Sequence, residues 1–387
     1  MNPVLISILI IFSTSCWAQL VPGETYYDST GFVEYRAGNL PIILSAPHGG
    51  DWQPDSIPDR DCVGCVFQID AFTRVITWDL VDKIEELTGC FPHMVMNRLH
   101  RVKFDANRDI EDAADGNALV EEAWRGYHEF IDLSKDEITS SYGRGLFLDL
   151  HGHAHTIQRI ELGYLLSREA LQMSDAEINE LQNEASISTL AANNINRLSL
   201  AGLLRGEESF GSILHNKDLP SVPSLEDPYP QDNEAYFTGG FNTVRHGSKE
   251  MNGTIDAIQI EMNQDIRFDE DNRRILVDSL AQSILDYLAL HYFEEFSPAY
   301  CDLNTSLSSA PPTGRIELYP NPAYNYISLS GLEPQSQVLI YNLFGQLIQK
   351  NSVNDLPTIS IVNLRQGQYF VEVISKGELI YIGRFVK

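Results

Sequence analysis

GLFLDLHGH (145–153) is a run of aliphatic residues that ends abruptly in His, Gly and His. A run of that length, rich in strand formers and bounded by polar residues, predicts a buried strand with histidines at its carboxyl end. Four further stretches have the same character: LPIILSAP (40–47), HMVMNRL (93–99), ELGYLLS (161–167) and IDAIQIEM (255–262). Helical patterns separate them. Ile69, Phe72, Ile76, Leu80, Ile84 and Leu87 recur at spacings of three and four, as do Ile275, Leu276, Leu280, Ile284 and Leu288 in a second helix near 272–293. Ser174 and Glu177 form a capping box for a helix over 175–200. Strands alternating with helices predict an α/β fold with a mixed, mostly parallel sheet flanked by helices. Such folds bind ligands outside the carboxyl ends of their strands, so the polar residues there are the ones to read.

The 387 residues carry 27 Lys plus Arg against 54 Asp plus Glu, a formal net charge of -27. Residues 313–387 hold 6 basic and 5 acidic residues and residues 1–18 hold none, so the segment 19–312 alone has a net charge of -28. A surface this acidic repels polyanions, which argues against a nucleic-acid partner. An aromatic content of 10% argues against disorder.

Residues 1–18, MNPVLISILIIFSTSCWA, have an apolar stretch too short to span a bilayer, followed by small residues, and predict a signal peptide cleaved after Ala18. The mature chain has no stretch apolar enough for a transmembrane segment. In an exported chain the four remaining cysteines, Cys62, Cys65, Cys90 and Cys301, predict disulfides, with three possible connectivities. NTSLSSAPPTG (304–314) reads as a linker between a domain at 19–303 and a C-terminal domain at 315–387. The C-terminal domain alternates short apolar runs with turn residues, which predicts a small all-β, immunoglobulin-like sandwich of about seven strands. Its LYPNPA, VLIYNLFGQLI, VNLRQGQYFVEV and terminal RFVK are similar to the C-terminal sorting domain of type IX secretion. That resemblance implies export through the type IX machinery as a partner, with a secreted or surface-attached product.

The strand ends of the larger domain read SAPHGGDW, NRLHRVKFDANRDIED, LDLHGHAH and IQIEMNQD. The first, third and fourth place His or Glu directly at the strand end, and the second supplies a cluster of Arg and Asn. A zinc hydrolase needs protein ligands around an open coordination position, a carboxylate to take a proton from water, and a cation for the developing oxyanion. His48 and Asp51 form an HxxD pair able to reach one ion, and His151 can supply a third ligand. Asp149 shares a strand face with His151 and is a candidate to orient its imidazole. Glu261 ends a buried strand, where an apolar setting raises a carboxyl toward the range of a useful general base. His153 and His155 are open to a role at the site or in a solvated loop.

In order along the chain, PHGGDW, FDANRD, LDLHGH and IQIEMNQDIR resemble the motifs of the zinc carboxypeptidase superfamily. Within it they are most similar to the N-formylglutamate amidohydrolase family, through PYPQDNEAYFTGGFNTVRHGS ahead of the QIE strand. The resemblance spans 41–290 and implies a carboxypeptidase or phosphorylase/hydrolase-like sheet holding one zinc ion. It further implies His48, Asp51 and His151 as ligands, Glu261 as general base, and Asn107 with Arg108 as the grip on a substrate carboxylate. Arg101 would polarise the scissile carbonyl, with Arg98 as competitor. The implied activity is hydrolysis of an amide in an N-acyl amino acid or peptide with a free carboxylate. The alternatives are a metallocarboxypeptidase-type peptidase and a non-catalytic surface binding protein on the same fold. Tyr229, Tyr236 and His246 lie where a mobile acid could be sought.

Overall fold

A computed structural model of the chain describes residues 20–62, 64–293, 317–319, 323, 325–330, 336–342, 347–353, 358–365, 367–376 and 378–387. The expected signal peptide, the linker and Cys301 lie outside them. The chain divides into a unit of Leu20–Asn304 and a second unit that holds the C-terminal strands. No helix among the described residues is long and apolar enough to cross a membrane.

The larger unit is built on one eight-stranded sheet: β1 (Thr25–Tyr27), β2 (Val33–Arg36), β3 (Ile42–Ala46), β4 (His93–Asn97), β5 (Gly145–Gly152), β6 (Ile160–Gly163), β7 (Ser221–Val222) and β8 (Ile255–Met262). Their spatial order is β1-β2-β4-β3-β5-β8-β6-β7. The central strands β4, β3, β5 and β8 are parallel, while β2 joins β4 and β6 joins β8 in antiparallel fashion. The chain runs from β3 outward to β4 and then crosses to β5 on the other side of β3. That reversal opens a crevice at the carboxyl ends of β3 and β5, the place where such sheets take ligands.

The buried strands behave as their sequences predict. All five residues of β3 and all eight of β8 are buried, as covering of both sheet faces by helices requires. The helix Thr73–Thr88 turns Ile76, Leu80 and Ile84 inward, and Glu270–His291 does the same with Leu276, Leu280, Ile284 and Leu288. Ile275, expected on that inner face, is 52% exposed. The capping box of Ser174 and Glu177 forms, but its helix stops at Glu180. The rest of 175–200 folds as a short 3-10 turn and the helix Ser188–Asn193, broken where the backbone extends at Ala185 and Asn194. Polar Asn and Ser side chains there compete with helical hydrogen bonds.

The described C-terminal strands form two antiparallel sheets, of orders β13-β10-β9 and β12-β11-β14-β15, running from β9 (Glu317–Tyr319) through β10 (Tyr326–Ser330), β11 (Ser336–Asn342), β12 (Leu347–Val353), β13 (Thr358–Ser360) and β14 (Gln368–Ser375) to β15 (Glu378–Val386). Alternating residues such as Ile327, Leu329, Val338, Ile340, Val371, Val373 and Phe385 supply the core of this all-β unit. Cys62 and Cys65 are joined by a disulfide and Cys90 is disulfide-bonded as well.

Candidate metal centre

Three side chains meet in the crevice at the strand ends. His48 follows β3, His151 ends β5, and Asp70 sits in the turn before the helix Thr73–Thr88, where its backbone N–H donates to the His48 carbonyl at 3.1 Å. Oδ2 of Asp70 lies 3.2 Å from Nδ1 of His48 and 3.0 Å from Nδ1 of His151. One ligand atom from each of the three falls within 4.8 Å of the others. The opposite nitrogens are also engaged by carboxylates: Nε2 of His48 lies 2.7 Å from Asp105, and Nε2 of His151 lies 2.9 Å from Asp149.

This donor set fits a bound divalent cation. An imidazole with a carboxylate on each nitrogen must be doubly protonated or leave one contact repulsive, and two such rings share one buried site. A cation between the Nδ1 atoms and Asp70 removes that conflict, because each neutral ring then keeps its proton on Nε2 for the outer carboxylate. Although burial opposes ionisation, the two imidazoles hold the Asp70 carboxyl well below the usual carboxylate range. Burial likewise opposes the charge on His151, yet Asp149 and Asp70 push it well above the ordinary imidazole value. Asp149 is fixed in turn by donation from Ser45 Oγ and, at 3.4 Å, from Asn242 Nδ2.

The expected ligand Asp51 is not in this group. It is exposed in the turn after β3 and acts electrostatically on His100. The Gly49–Gly50 turn carries the chain away from the crevice after His48, and the carboxylate returns with Asp70, 22 residues later. No motif marks Asp70 in the sequence, where it falls inside the apolar pattern that begins at Ile69, whereas the helix itself starts only at Thr73. Asp105 stands within the FDANRD motif without having been assigned a part.

Glu261 pairs with His151 in the parallel register of β5 and β8, so both side chains project from the same face. Gln259 Nε2 donates to its Oε1 at 3.0 Å. Burial and the carboxylates of Asp70, Glu161 and Asp149 push Glu261 up to about 8, against the pull of His151. A cavity of about 600 Å³ opens over these groups, lined also by Arg101, Asn107 and Arg108. Arg101 is held by Nε donation to Asp105 at 2.9 Å, with Nη1 3.9 Å from Asp70. Asn107 accepts from the Asn242 N–H at 2.8 Å and turns its Nδ2 to within 3.4 Å of His151. The exposed Arg108 guanidinium reaches the cavity with no partner among the described residues.

Arg98, the competitor of Arg101, is placed elsewhere: it donates to the Gly31 carbonyl and packs over Tyr27 and Trp52. Tyr236 and His246 are also removed from the cavity, Tyr236 donating to the Leu162 carbonyl at 2.5 Å and His246 packing against His128 and Phe147. Tyr229 packs partly buried against the core. His153 and His155 line the cavity beside Glu161, which sequence reasoning passed over at the start of β6. Arg267, also a lining residue, spends its guanidinium on the carbonyls of Met262, Ala71 and His153. It lies so close under the strand end that a Cβ at Gly152 would fall 2.3 Å from its guanidinium carbon.

A comparison of the sequence with curated proteins finds no match. Among solved structures, the chain is similar to an N-formylglutamate amidohydrolase from Ralstonia eutropha JMP134, at 15% identity and a TM-score of 0.38 over 64% of this chain and 92% of that one. It is similar to a succinylglutamate desuccinylase from Chromobacterium violaceum at 12% identity and a TM-score of 0.29, over 70% of each chain. A similarity at 18% identity and a TM-score of 0.18, over 20% of this chain and 12% of that one, is to PorZ, a surface component of the type-IX secretion system of Porphyromonas gingivalis. Residues 317–387 match the secretion system C-terminal sorting domain, so the chain ends in a domain that directs export.

Proposed function

We propose that the unit Leu20–Asn304 is a zinc-dependent amidohydrolase, exported with the help of its sorting domain, that cleaves an amide bond in a substrate bearing a free carboxylate. The observation that carries this reading is the convergence of His48, Asp70 and His151 beside a buried Glu261 one strand away. His48, Asp70 and His151 would hold the ion, which when bound polarises the carbonyl and lowers the pKa of water. Glu261 accepts the proton of the attacking water, and its buried position keeps it basic enough to do so near neutrality. Arg101, fixed by Asp105, faces the negative charge that develops on the carbonyl oxygen. Arg108 receives the substrate carboxylate, and Asn107 sets the wall beside it.

The mature chain is tested by elemental analysis and by hydrolysis of N-acyl amino acids and peptides. About one zinc per chain, with release of amine that is abolished by chelation and restored by zinc, supports the proposal. A chain without metal that leaves every amide intact overturns it. Preferential release of C-terminal amino acids from peptides identifies the peptidase alternative.

A further inference from the structure

Beyond Glu261, the same face of the sheet carries a second pair of titratable groups. Glu161 on β6 stands opposite Glu261 on β8 in the antiparallel register, so His151, Glu261 and Glu161 form a row across three adjacent strands, each about 4.8 Å from the next. Glu161 is buried, and its Oε1 lies 2.7 Å from Nδ1 of His155. Its Oε2 accepts from the Phe237 N–H at 2.9 Å, and the Phe237 ring stacks on the His155 imidazole at 4.8 Å. His155 is thus held on one nitrogen and one ring face. Its Nε2 has no partner among the described residues, and the side chain, 24% exposed, lines the cavity.

His153 completes a group of three that could bind a cation, but both of its nitrogens are spent. Nδ1 accepts from the His155 N–H at 3.1 Å, and Nε2 donates to the Arg159 carbonyl at 2.9 Å. A metal there would have to break one of these bonds, whereas proton transfer at Nε2 of His155 breaks none.

The loop after Phe237 links this pair to the carboxylate grip. It runs through Gly239 to Gly240, where a Cβ would fall 2.4 Å from Nδ2 of Asn107. In an N-acyl amino acid the departing nitrogen lies between the scissile carbonyl and the carboxylate. With the carbonyl at His151 and Glu261 and the carboxylate at Arg108, that nitrogen would sit in the cavity that Phe237, Gly239, Gly240 and His155 also line.

We propose that His155, oriented by Glu161, is the catalytic acid that protonates the leaving amine, an inference that rests on the amidohydrolase reading above. As the C–N bond of the tetrahedral adduct breaks, its electron pair goes to nitrogen, which takes the Nε2 proton of the His155 imidazolium directly or through one water. His155 is left neutral with its Nδ1 proton still donated to Glu161, and is reprotonated from solvent. Glu261 returns to solvent the proton it took from the attacking water.

The test compares two substrates sharing one acyl group: an N-acyl amino acid, whose amine must be protonated to leave, and a carboxylate-bearing nitrophenyl ester, whose phenolate leaves without a proton. In the full chain His155→Gln should lower kcat on the amide by about 10² to 10⁴-fold. The ester should slow far less, and the zinc content should stay that of the wild type. Glu161→Gln should show the same split at smaller size. Equal losses on both substrates, or zinc lost with either substitution, overturn the role of His155 while leaving the amidohydrolase reading intact. A wild-type chain inert on both substrates overturns that reading and this one with it.

Discussion

His151 and Glu261 occupy paired positions on neighbouring parallel strands, β5 and β8, and project from one face of the sheet at its carboxyl edge. The backbone therefore fixes the spacing between a proposed metal ligand and a proposed base, with no loop to move either. Glu261→Gln keeps the shape and the contact with Gln259 but cannot accept a proton. Amide hydrolysis should fall by about 10² to 10⁴-fold, and zinc content, measured on the purified variant, should be unchanged. Full activity in this variant removes Glu261 from the chemistry.

Asp70 and Asp51 make opposite predictions. Asp70→Ala removes the oxygen on which both Nδ1 atoms converge, and should weaken zinc binding by more than the roughly 10 to 100-fold typical of losing an outer partner. Asp51→Ala, in an exposed turn, should leave zinc affinity unchanged. Competition against a fluorescent chelator measures both; a loss in the Asp51 variant equal to that in the Asp70 variant would restore the HxxD reading.

The outer carboxylates are expected to matter next. Asp149→Asn and Asp105→Asn keep volume but present an amide to the Nε2 atoms of His151 and His48. Each should lower zinc affinity by about 10 to 100-fold. Their effects should be separable, because Asp105 also holds Arg101 at 2.9 Å. Only Asp105→Asn should slow turnover once zinc is saturating.

These expectations show how far the sequence could be read. The apolar runs at 145–152 and 255–262 coincide with β5 and β8 because a buried strand is written in consecutive residues. His48, His151 and Glu261 were legible for the same reason, since each ends or follows such a run. Asp70 was not, because nothing in local periodicity says which loop carboxylate folds back over a neighbouring strand. The helix Ala118–Tyr142 was also passed over, although Asn117 caps it and Val120, Ala123, Tyr127 and Ile131 face inward. Residues 161–167 show a further limit: they were read as one strand, but β6 ends at Gly163, and its antiparallel pairing with β8, which brings Glu161 beside Glu261, is a property of topology.

Arg108 offers a test of the carboxylate grip that does not depend on turnover chemistry. Its guanidinium is exposed at the cavity without a partner among the described residues, so Arg108→Ala should leave folding intact. Charge-assisted hydrogen bonds contribute about 1.5 to 3 kcal/mol, so kcat/KM should drop by about 10 to 100-fold for N-acyl amino acids. The corresponding amides, with the carboxylate neutralised, should be cleaved equally by wild type and variant. An equal fall for both substrates would assign Arg108 to the reaction itself rather than to the grip.

Asp256 lies at the opposite end of β8 from Glu261 and predicts a pH dependence of stability independent of the metal. It is fully buried and accepts from the Leu190 N–H at 3.1 Å, from Ser248 Oγ and from the Tyr292 hydroxyl at 3.0 Å. Burial outweighs these donors and pushes its carboxyl up from 3.8 to about 6. Because the folded value is the higher one, the folded state binds the proton more tightly than the unfolded chain. The stability this confers is complete below the unfolded value and is lost as pH rises through the folded one. The shift corresponds to about 3 kcal/mol across the window from roughly pH 4 to pH 6. Asp256→Asn retains an oxygen for the Leu190 and Ser248 donors but does not titrate. Urea unfolding of the unit Leu20–Asn304 within the full chain should show the variant gaining on wild type by about that amount between pH 4 and pH 7.5. A difference that stays constant over this range would mean that Asp256 is ionised in the folded chain throughout, and that its three donors, rather than burial, decide its charge.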